Sequence, residues 1–132
     1  MRRLVSVALA ASVLATVAAC GSGSGRQCEA LTAAAKSVDG VAAAEFTCQE
    51  SFGNPSREGA VTIAGGTERE VVAVMEGVLR AFAASAELGD AAVVYSRFVS
   101  EDGRISVVES QAGFNGTPSI GVLREHYGIT PG

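Results

Sequence analysis

The strongest restriction on the fold comes from an apolar stripe that begins just after a helix-capping sequence. In the segment Thr67-Glu68-Arg69-Glu70, a threonine precedes a glutamate by three positions, which is the spacing of a capping box at a helix N-terminus. Apolar residues then recur with a helical period: Val71, Met75, Val78 and Phe82. A stripe of this width predicts an amphipathic helix with one face packed on a sheet.

Two segments before this helix alternate in the manner of half-buried strands. Residues 41–51 place three residues on the apolar face, namely Ala44, Phe46 and Cys48. The opposite face carries polar residues: Glu45, Thr47, Gln49 and Ser51. After a turn at residues 53–56, a second strand is predicted over residues 59–64, with Val61 and Ile63 inward.

A hairpin is predicted after the helix, around the dipeptide Asp102-Gly103, which is a strong two-residue turn signal. This turn joins residues 91–100 to residues 104–110 and sets Phe98 opposite Val107. One face of the hairpin is then apolar, with Val94, Phe98, Ile105 and Val107. The other face is mixed, with Tyr95, Arg97, Val99, Ser106 and Val108.

Two more helices complete the predicted order α-β-β-α-β-β-α. The first runs from Arg26 to about Val38, and the last has Thr117 as N-cap, Pro118 in its first position and Gly128 as C-cap. The chain therefore contains two αββ units within one domain, residues 28–132. The predicted class is α+β, a four-stranded antiparallel sheet with helices on one face.

The segment VDGVAAAEF, beginning at Val38, resembles the Gly-Val bend of heavy-metal-associated and BON-type domains. The element order likewise resembles a circularly permuted ferredoxin-like arrangement, in which the second and fourth strands pair centrally. The metal-binding members carry a Cys-x-x-Cys motif that is absent here. The resemblance therefore implies an architecture and no metal site.

The N-terminus is typical of a secretory signal peptide. Arg2 and Arg3 precede an uncharged, largely apolar run of 16 residues from Leu4 to Ala19. A spanning helix needs about 20 such residues, so this run is marginal as a membrane anchor. Residues 1–19 are predicted to be a cleaved signal; a retained signal anchor is the alternative.

The segment Val17-Ala18-Ala19-Cys20 resembles the lipobox of bacterial lipoproteins. This resemblance implies cleavage before Cys20 and a diacylglycerol on its sulfur, which places the protein on the extracytoplasmic face of the cell membrane. The Gly/Ser-rich stretch that follows predicts a flexible tether over residues 20–27. The abundance of alanine, valine, glycine and arginine with one lysine is typical of high-GC bacteria such as actinobacteria. An ordinary secreted protein cut near Ala19 is the alternative.

The remaining cysteines, Cys28 and Cys48, are predicted to form a disulfide. Cys28 shares a helical face with Leu31 and Ala35, while Cys48 lies on the apolar face of its strand, so both thiols point toward one interior. An oxidising compartment favours their pairing. Two buried free thiols are the alternative. A metal site is not expected here, because two cysteines and a distant histidine supply too few ligands.

The charge distribution argues against nucleic acid as a partner. All 14 acidic residues but only eight of the ten basic ones follow Cys20, so the mature protein carries a net charge near −6. A scattered set of basic residues on an acidic domain is poorly suited to binding phosphates. Contact with the membrane is expected through the lipid on Cys20.

No set of residues predicts catalysis or a cofactor site. The single histidine, His126, lies in the last helix beside Arg124 and Glu125, as a surface residue. Glu101 and Asp102 belong to the hairpin tip, and a solvated turn explains them. General acid-base chemistry needs groups within hydrogen-bond reach of one another, and the sequence proposes no such group. We therefore expect neither an enzyme nor a cofactor.

Two function classes remain. The first is a membrane-anchored, non-catalytic interaction module that presents the open face of its sheet to another envelope protein or to the cell wall. The expected contact residues are Glu45, Thr47, Gln49, Thr62, Tyr95 and Arg97. The alternative for these residues is an ordinary solvated sheet face. The second class is a carrier of a small hydrophobic or lipid ligand, although a domain of this size has little apolar content beyond its own core.

Overall fold

In the part of the chain that the structure describes, three α-helices and four strands follow one another in the predicted order. The computed structural model describes residues 23–51 and 53–132. The predicted signal peptide 1–19 and Cys20 lie outside these residues. The elements are α1 (Gly23–Lys36), β1 (Val41–Ser51), β2 (Asn54–Ile63), α2 (Glu68–Ala84), β3 (Tyr95–Ser100), β4 (Ser106–Val107) and α3 (Ile120–Tyr127), with a short 3-10 helix at Glu109–Ala112. Because α1 begins at Gly23, the last five residues of the predicted tether are helical.

The sheet is mixed, and the prediction of an antiparallel sheet is wrong. Its strand order is β1-β2-β3-β4; the outer pairs are antiparallel, whereas β2 and β3 run parallel. The two central strands are joined through α2, and a helical crossover returns the chain in the same direction. The pair expected from a ferredoxin-like arrangement, the second strand beside the fourth, is therefore replaced by β2 beside β3. The permuted ferredoxin-like resemblance is not confirmed.

The N-terminus of α2 is capped as its sequence predicts. The Thr67 hydroxyl accepts a hydrogen bond from the Glu70 backbone N–H at 3.2 Å, and the Glu70 carboxylate accepts one from the Gly66 N–H at 3.1 Å. The predicted stripe is buried, with Val71, Met75, Val78 and Phe82 at most 1% exposed. Gly77 allows α2 to approach the α1–β1 loop, because a Cβ there would lie 2.8 Å from the side chain of Val38.

The core lies between one face of the sheet and the helices. The sheet contributes Ala44, Val61, Ile63, Phe98 and Val107, all of which are buried. Both α1 and α2 pack on this face, and α3 packs against α2 through a cluster that includes Ile120 and Leu123. The register Phe98↔Val107 is the one predicted from the Asp102-Gly103 turn.

A disulfide joins Cys28 of α1 to Cys48 of β1, with 5.8 Å between the two Cα atoms, as predicted. The loop it closes spans a sequence separation of 20 residues. Closing a loop of that length stabilises a fold by roughly 3 kcal/mol, through loss of entropy in the unfolded chain. The bond holds the first turns of α1 against the outermost strand.

Several element boundaries differ from the sequence prediction, two of them in the C-terminal part of the chain. The fourth strand pairs over only two residues, because the chain turns into the 3-10 helix at Glu109. The N-cap of α3 is Ser119, whose hydroxyl accepts from the Val122 N–H at 3.2 Å, and not Thr117. The C-cap prediction is confirmed, since Gly128 takes a left-handed conformation with φ of 64°.

None of the helices in the described part of the chain combines the length and apolarity that a membrane crossing requires.

Candidate functional site

The sheet surface turned away from the helices, called the open face below, collects the residues that the sequence singled out. They come from the first three strands: Glu45, Thr47, Gln49, Thr62, Tyr95 and Arg97. All are exposed except Thr62, which is half-buried. They share this face because successive residues of a strand point to opposite sides, and their neighbours point into the core.

Two rows of side chains cross the open face at right angles to the strands. In the first row, Ala60 lies beside Glu45 on one side and beside Arg97 on the other. Adjacent strands are about 4.8 Å apart, so Glu45 and Arg97 start roughly 10 Å apart, with only a methyl group between them. The row therefore has a long charged side chain at each end and a short apolar side chain in the middle.

The second row contains Thr47, Glu58 and Tyr95, again on three successive strands. Together the two rows line a depression of about 570 Å³, to which Thr117 is added from the loop before α3. A bridge between Val93 and Ser119 holds this loop beside the start of β3. The predicted N-cap Thr117 therefore lies at the rim of the open face.

Glu58 belongs to this surface and was missed from the sequence. The second strand was predicted to begin at Gly59, after a turn cluster that includes Pro55, whereas β2 begins at Asn54. Extending the alternation of Ala60 and Thr62 backwards by one step would have placed Glu58 on the open face. Pro55 and Gly59 hid this signal, because both residues are usually depleted from strands.

The charged groups of the open face have no ion-pair partner within residues 23–51 and 53–132. There, the one salt bridge joins Arg124 to Asp90. Glu45, Glu58 and Arg97 are all exposed and therefore hydrated. Their charges are available to a binding partner without first breaking a contact inside the protein.

Tyr95 supplies the apolar contact area of the open face. It is 57% exposed, more than the other large exposed apolar side chains of the described residues, Val108 and Val122. Tyrosine combines a flat apolar ring with a hydroxyl and loses little conformational entropy on binding, so it is enriched in interfaces. An exposed tyrosine among solvated charges is an arrangement suited to binding another molecule.

The other residues considered for chemistry have local partners. His126 packs against the Phe114 ring, with 4.4 Å between the ring centroids. The Asp102 carboxylate accepts from the Ser100 hydroxyl at 2.6 Å, and this hydrogen bond lowers the pKa of Asp102 within the hairpin turn. Glu68 accepts a hydrogen bond from Gln111 at 2.7 Å. These contacts tie turns and helix ends together.

Burial and a neighbouring carboxylate raise the pKa of Tyr127 to about 12. Its hydroxyl donates to Glu76 at 3.2 Å, and the Arg80 guanidinium lies 4.7 Å from the centre of its ring. The phenol is therefore protonated over the physiological range. Its contacts join α3 to α2.

Within the described residues, no group of three or more histidine, cysteine, aspartate or glutamate side chains is placed to hold a metal ion. Comparisons of the chain with protein-family models, curated proteins and solved structures found no match. The function is therefore inferred from the geometry and chemistry of the open face.

Proposed function

We propose that this protein is a lipid-anchored protein of the bacterial cell envelope that acts as a non-catalytic binding module. The observation that carries the proposal is the open face, where an exposed tyrosine and three solvated charges line one depression. The lipobox resemblance at Cys20 supports the anchoring and the location. The partner is a protein or polymer of the envelope that contacts Tyr95 and Arg97.

The open face is held rigidly, which favours binding. Its central residues lie on β2 and β3, and the reverse sides of those strands carry the buried residues Val61, Ile63 and Phe98. Side chains on packed strands lose less freedom on binding than side chains on loops. The depression is therefore arranged before a partner arrives.

The charge pattern of the face favours a polar or zwitterionic partner. Glu45 lies on β1, Glu58 lies on the neighbouring strand β2, and Arg97 lies on β3, two strands away from Glu45. A partner that places a cation near the glutamates and an anion near Arg97 satisfies both ends. Such complementarity governs specificity and association rate more than affinity.

The test is capture of envelope partners by the lipidated full chain in its own cells. Replacing Tyr95 with serine and Arg97 with glutamate is expected to reduce cross-linking to its partner by about tenfold or more, since central aromatic and arginine contacts dominate interfaces. Matched controls are Val122→Ser and Arg104→Glu, which change exposed residues on other surfaces.

Unchanged thermal unfolding of all four variants shows that the fold is intact. Equal loss of capture in the test and control variants would contradict a role for the open face. Capture that is unaffected by the Tyr95 and Arg97 changes would contradict it as well.

A further inference from the structure

The outer edge of β1 is a long strand edge without a neighbour among the described residues. β1 spans 11 residues and, within residues 23–51 and 53–132, pairs only with β2, whereas the opposite edge of the sheet is formed by the two residues of β4. Proteins usually blunt such edges with lysine, proline, bulges or very short strands. β1 contains neither lysine nor proline, and its register shift is confined to the end between Val41 and Ala43.

The hydrogen-bond pattern shows which residues direct their backbone groups outward from this edge. The Ala64 N–H donates to the Gly40 carbonyl at 2.7 Å, on the β1 side of β2. The Ile63 carbonyl accepts from the Glu101 N–H at 3.0 Å, on the β3 side. Since bonding alternates along a strand, the β2 residues that bond toward β1 are Thr62, Ala60, Glu58 and Ser56. The β1 residues left to face outward are Ala44, Phe46, Cys48 and Glu50.

The position of Pro55 agrees with this assignment. Pro55 lies opposite Glu50 in the ladder and has no N–H to donate. Hydrogen-bonded and non-hydrogen-bonded pairs alternate along an antiparallel ladder, and Glu50 and Pro55 form a non-hydrogen-bonded pair. The absence of an N–H on Pro55 therefore costs the β1–β2 ladder no hydrogen bond. Four outward-facing residues over a span of roughly 20 Å can therefore pair with an added strand.

An apolar groove runs beside the same edge. It measures about 450 Å³ and lies between α1 and Phe46, with Cys28, Glu29, Thr32, Ala33 and Lys36 on the helix side. The opposite flank of α1 faces β2, since Gln27 accepts from Arg57 there at 2.6 Å. The groove is therefore on the outer side of β1, where every second side chain of an added strand would lie.

The charges around the edge select the partner. Glu29 lines the groove beside Cys28, and Glu50 lies two residues from Cys48, so the disulfide brings these two residues toward the same end of β1; Lys36 lines the groove two helical turns away from Cys28. Glu45 lies on the open-face side of the strand, and the mature chain is acidic overall. A second copy of this chain would bring another net acidic domain to this edge, whereas lysine or arginine side chains would complement the three glutamates, which outnumber Lys36.

We propose that β1 binds an extended, cationic segment of a partner polypeptide as a fifth strand, with apolar side chains in the α1–β1 groove and basic side chains beside Glu45. This inference rests on the proposed function and names the partner class. Main-chain pairing supplies affinity, while alternate side chains supply specificity.

The test uses the full chain purified in detergent and a blocked ten-residue peptide of alternating valine and arginine. With a Kd of about 100 µM, about 1 mM peptide is expected to slow amide exchange roughly tenfold at the outward-facing positions. These are Ala44, Phe46, Cys48 and Glu50. Amides of Glu45, Thr47 and Gln49 already bond to β2 and are expected to change little.

Two backbone-methylated peptides test strand pairing directly. One carries N-methyl groups on every valine and the other on every arginine, so only one of them blocks the amides that face β1. One methylated peptide is expected to lose binding and the other to retain it, and the identity of the inactive one reports the strand direction. Ala33→Arg adds a bulky second cation beside Lys36 in the groove and is expected to weaken binding about tenfold. Ala73→Arg, at an exposed alanine of α2, is the matched control and is expected to have no effect.

Three outcomes would overturn this inference. In the first, the peptide leaves exchange at the outward-facing amides unchanged. In the second, both methylated peptides bind as well as the parent. In the third, the same amides become protected with rising protein concentration and no peptide, which assigns the edge to a second copy. Loss of partner capture in the Tyr95 and Arg97 variants would still support the proposed function in each case, so a failure of this inference is distinguishable from a failure of the proposed function.

Discussion

Phe46 lies directly opposite Gly59 in the β1–β2 ladder, and its ring occupies the space that a side chain at residue 59 would need. A Cβ at that position would lie 2.2 Å from Phe46 Cδ1 and 2.5 Å from the Glu45 carbonyl oxygen. Phe46 is itself held by an edge-to-face contact with Phe82, with ring centroids 5.7 Å apart. The glycine therefore lets the ring close the core at the edge of the sheet.

Gly59→Ala is expected to lower the free energy of unfolding by about 1–3 kcal/mol, because an overpacked core must move side chains or backbone. Denaturant unfolding at neutral pH measures this change. The matched control is Gly66→Ala, where a Cβ meets nothing within 4 Å. Equal stability of the two variants would show that the Phe46 ring moves aside without cost.

Arg124 fastens α3 to the end of α2 and the loop that follows. Its guanidinium donates to the carbonyl oxygens of Ala83, Ser85 and Leu88 at 2.7–2.9 Å and also contacts Asp90. Arg124→Lys cannot reproduce this planar set of donors and is expected to lower the free energy of unfolding by roughly 2–4 kcal/mol.

The control for Arg124 is Asp90→Asn. The Asp90 side chain is 77% exposed, so losing its charge is expected to change the free energy of unfolding by less than about 1 kcal/mol. Chemical denaturation compares the two variants. A larger effect from Asp90→Asn than from Arg124→Lys would mean that the ion pair, and not the carbonyl contacts, holds the loop.

Glu109 makes the stability of the fold depend on pH. The residue is 7% exposed, and burial raises the pKa of its carboxyl above the ordinary value of 4.5. The folded state therefore binds this proton more tightly than the unfolded state, and the stability gained by protonation is lost as the pH rises through the folded pKa. Glu109→Gln is expected to be more stable than the parent at neutral pH, with the difference shrinking as the pH falls toward 4.5. Urea unfolding of both proteins between neutral pH and pH 4.5 measures this difference in stability. A difference that does not change with pH would contradict the assignment of the effect to the Glu109 carboxyl.

Cys20→Ser tests the anchor. The lipobox resemblance predicts that this change abolishes acylation and releases the protein from the membrane fraction, because two acyl chains give durable anchoring. Detergent partitioning and intact mass of the mature protein measure both effects. Unchanged partitioning of the variant would contradict a lipid anchor at this position.

The elements with local signals were predictable from the sequence. The Thr67 cap, the stripe on α2 and the Phe98↔Val107 register each depend on residues close in sequence, and the structure has all three. The Cys28–Cys48 disulfide was predictable because each cysteine shares a periodic face with core residues. The same alternation placed the six predicted contact residues on one face.

The features set by distant parts of the chain were not predictable in the same way. The parallel β2–β3 pairing depends on where α2 returns the chain, which no local pattern records. Arg124 reads in sequence as a solvated charge near a helix end, whereas its acceptors lie 36 to 41 positions earlier in the chain. Glu58 was missed because Pro55 and Gly59 interrupt an otherwise regular strand.

The Cys28–Cys48 bond also sets how a mechanical load would travel through the protein. A pull applied at the N-terminal side enters the fold at the start of α1 and reaches Cys28 within six residues of Gly23. From there the covalent bond passes the force to β1 at Cys48, so the remainder of α1 and the first part of β1 bear none of the tension. Further extension would have to break the hydrogen bonds of the β1–β2 ladder. The outer edge of β1, which we assign to a partner, would therefore be the first part of the sheet to bear the load.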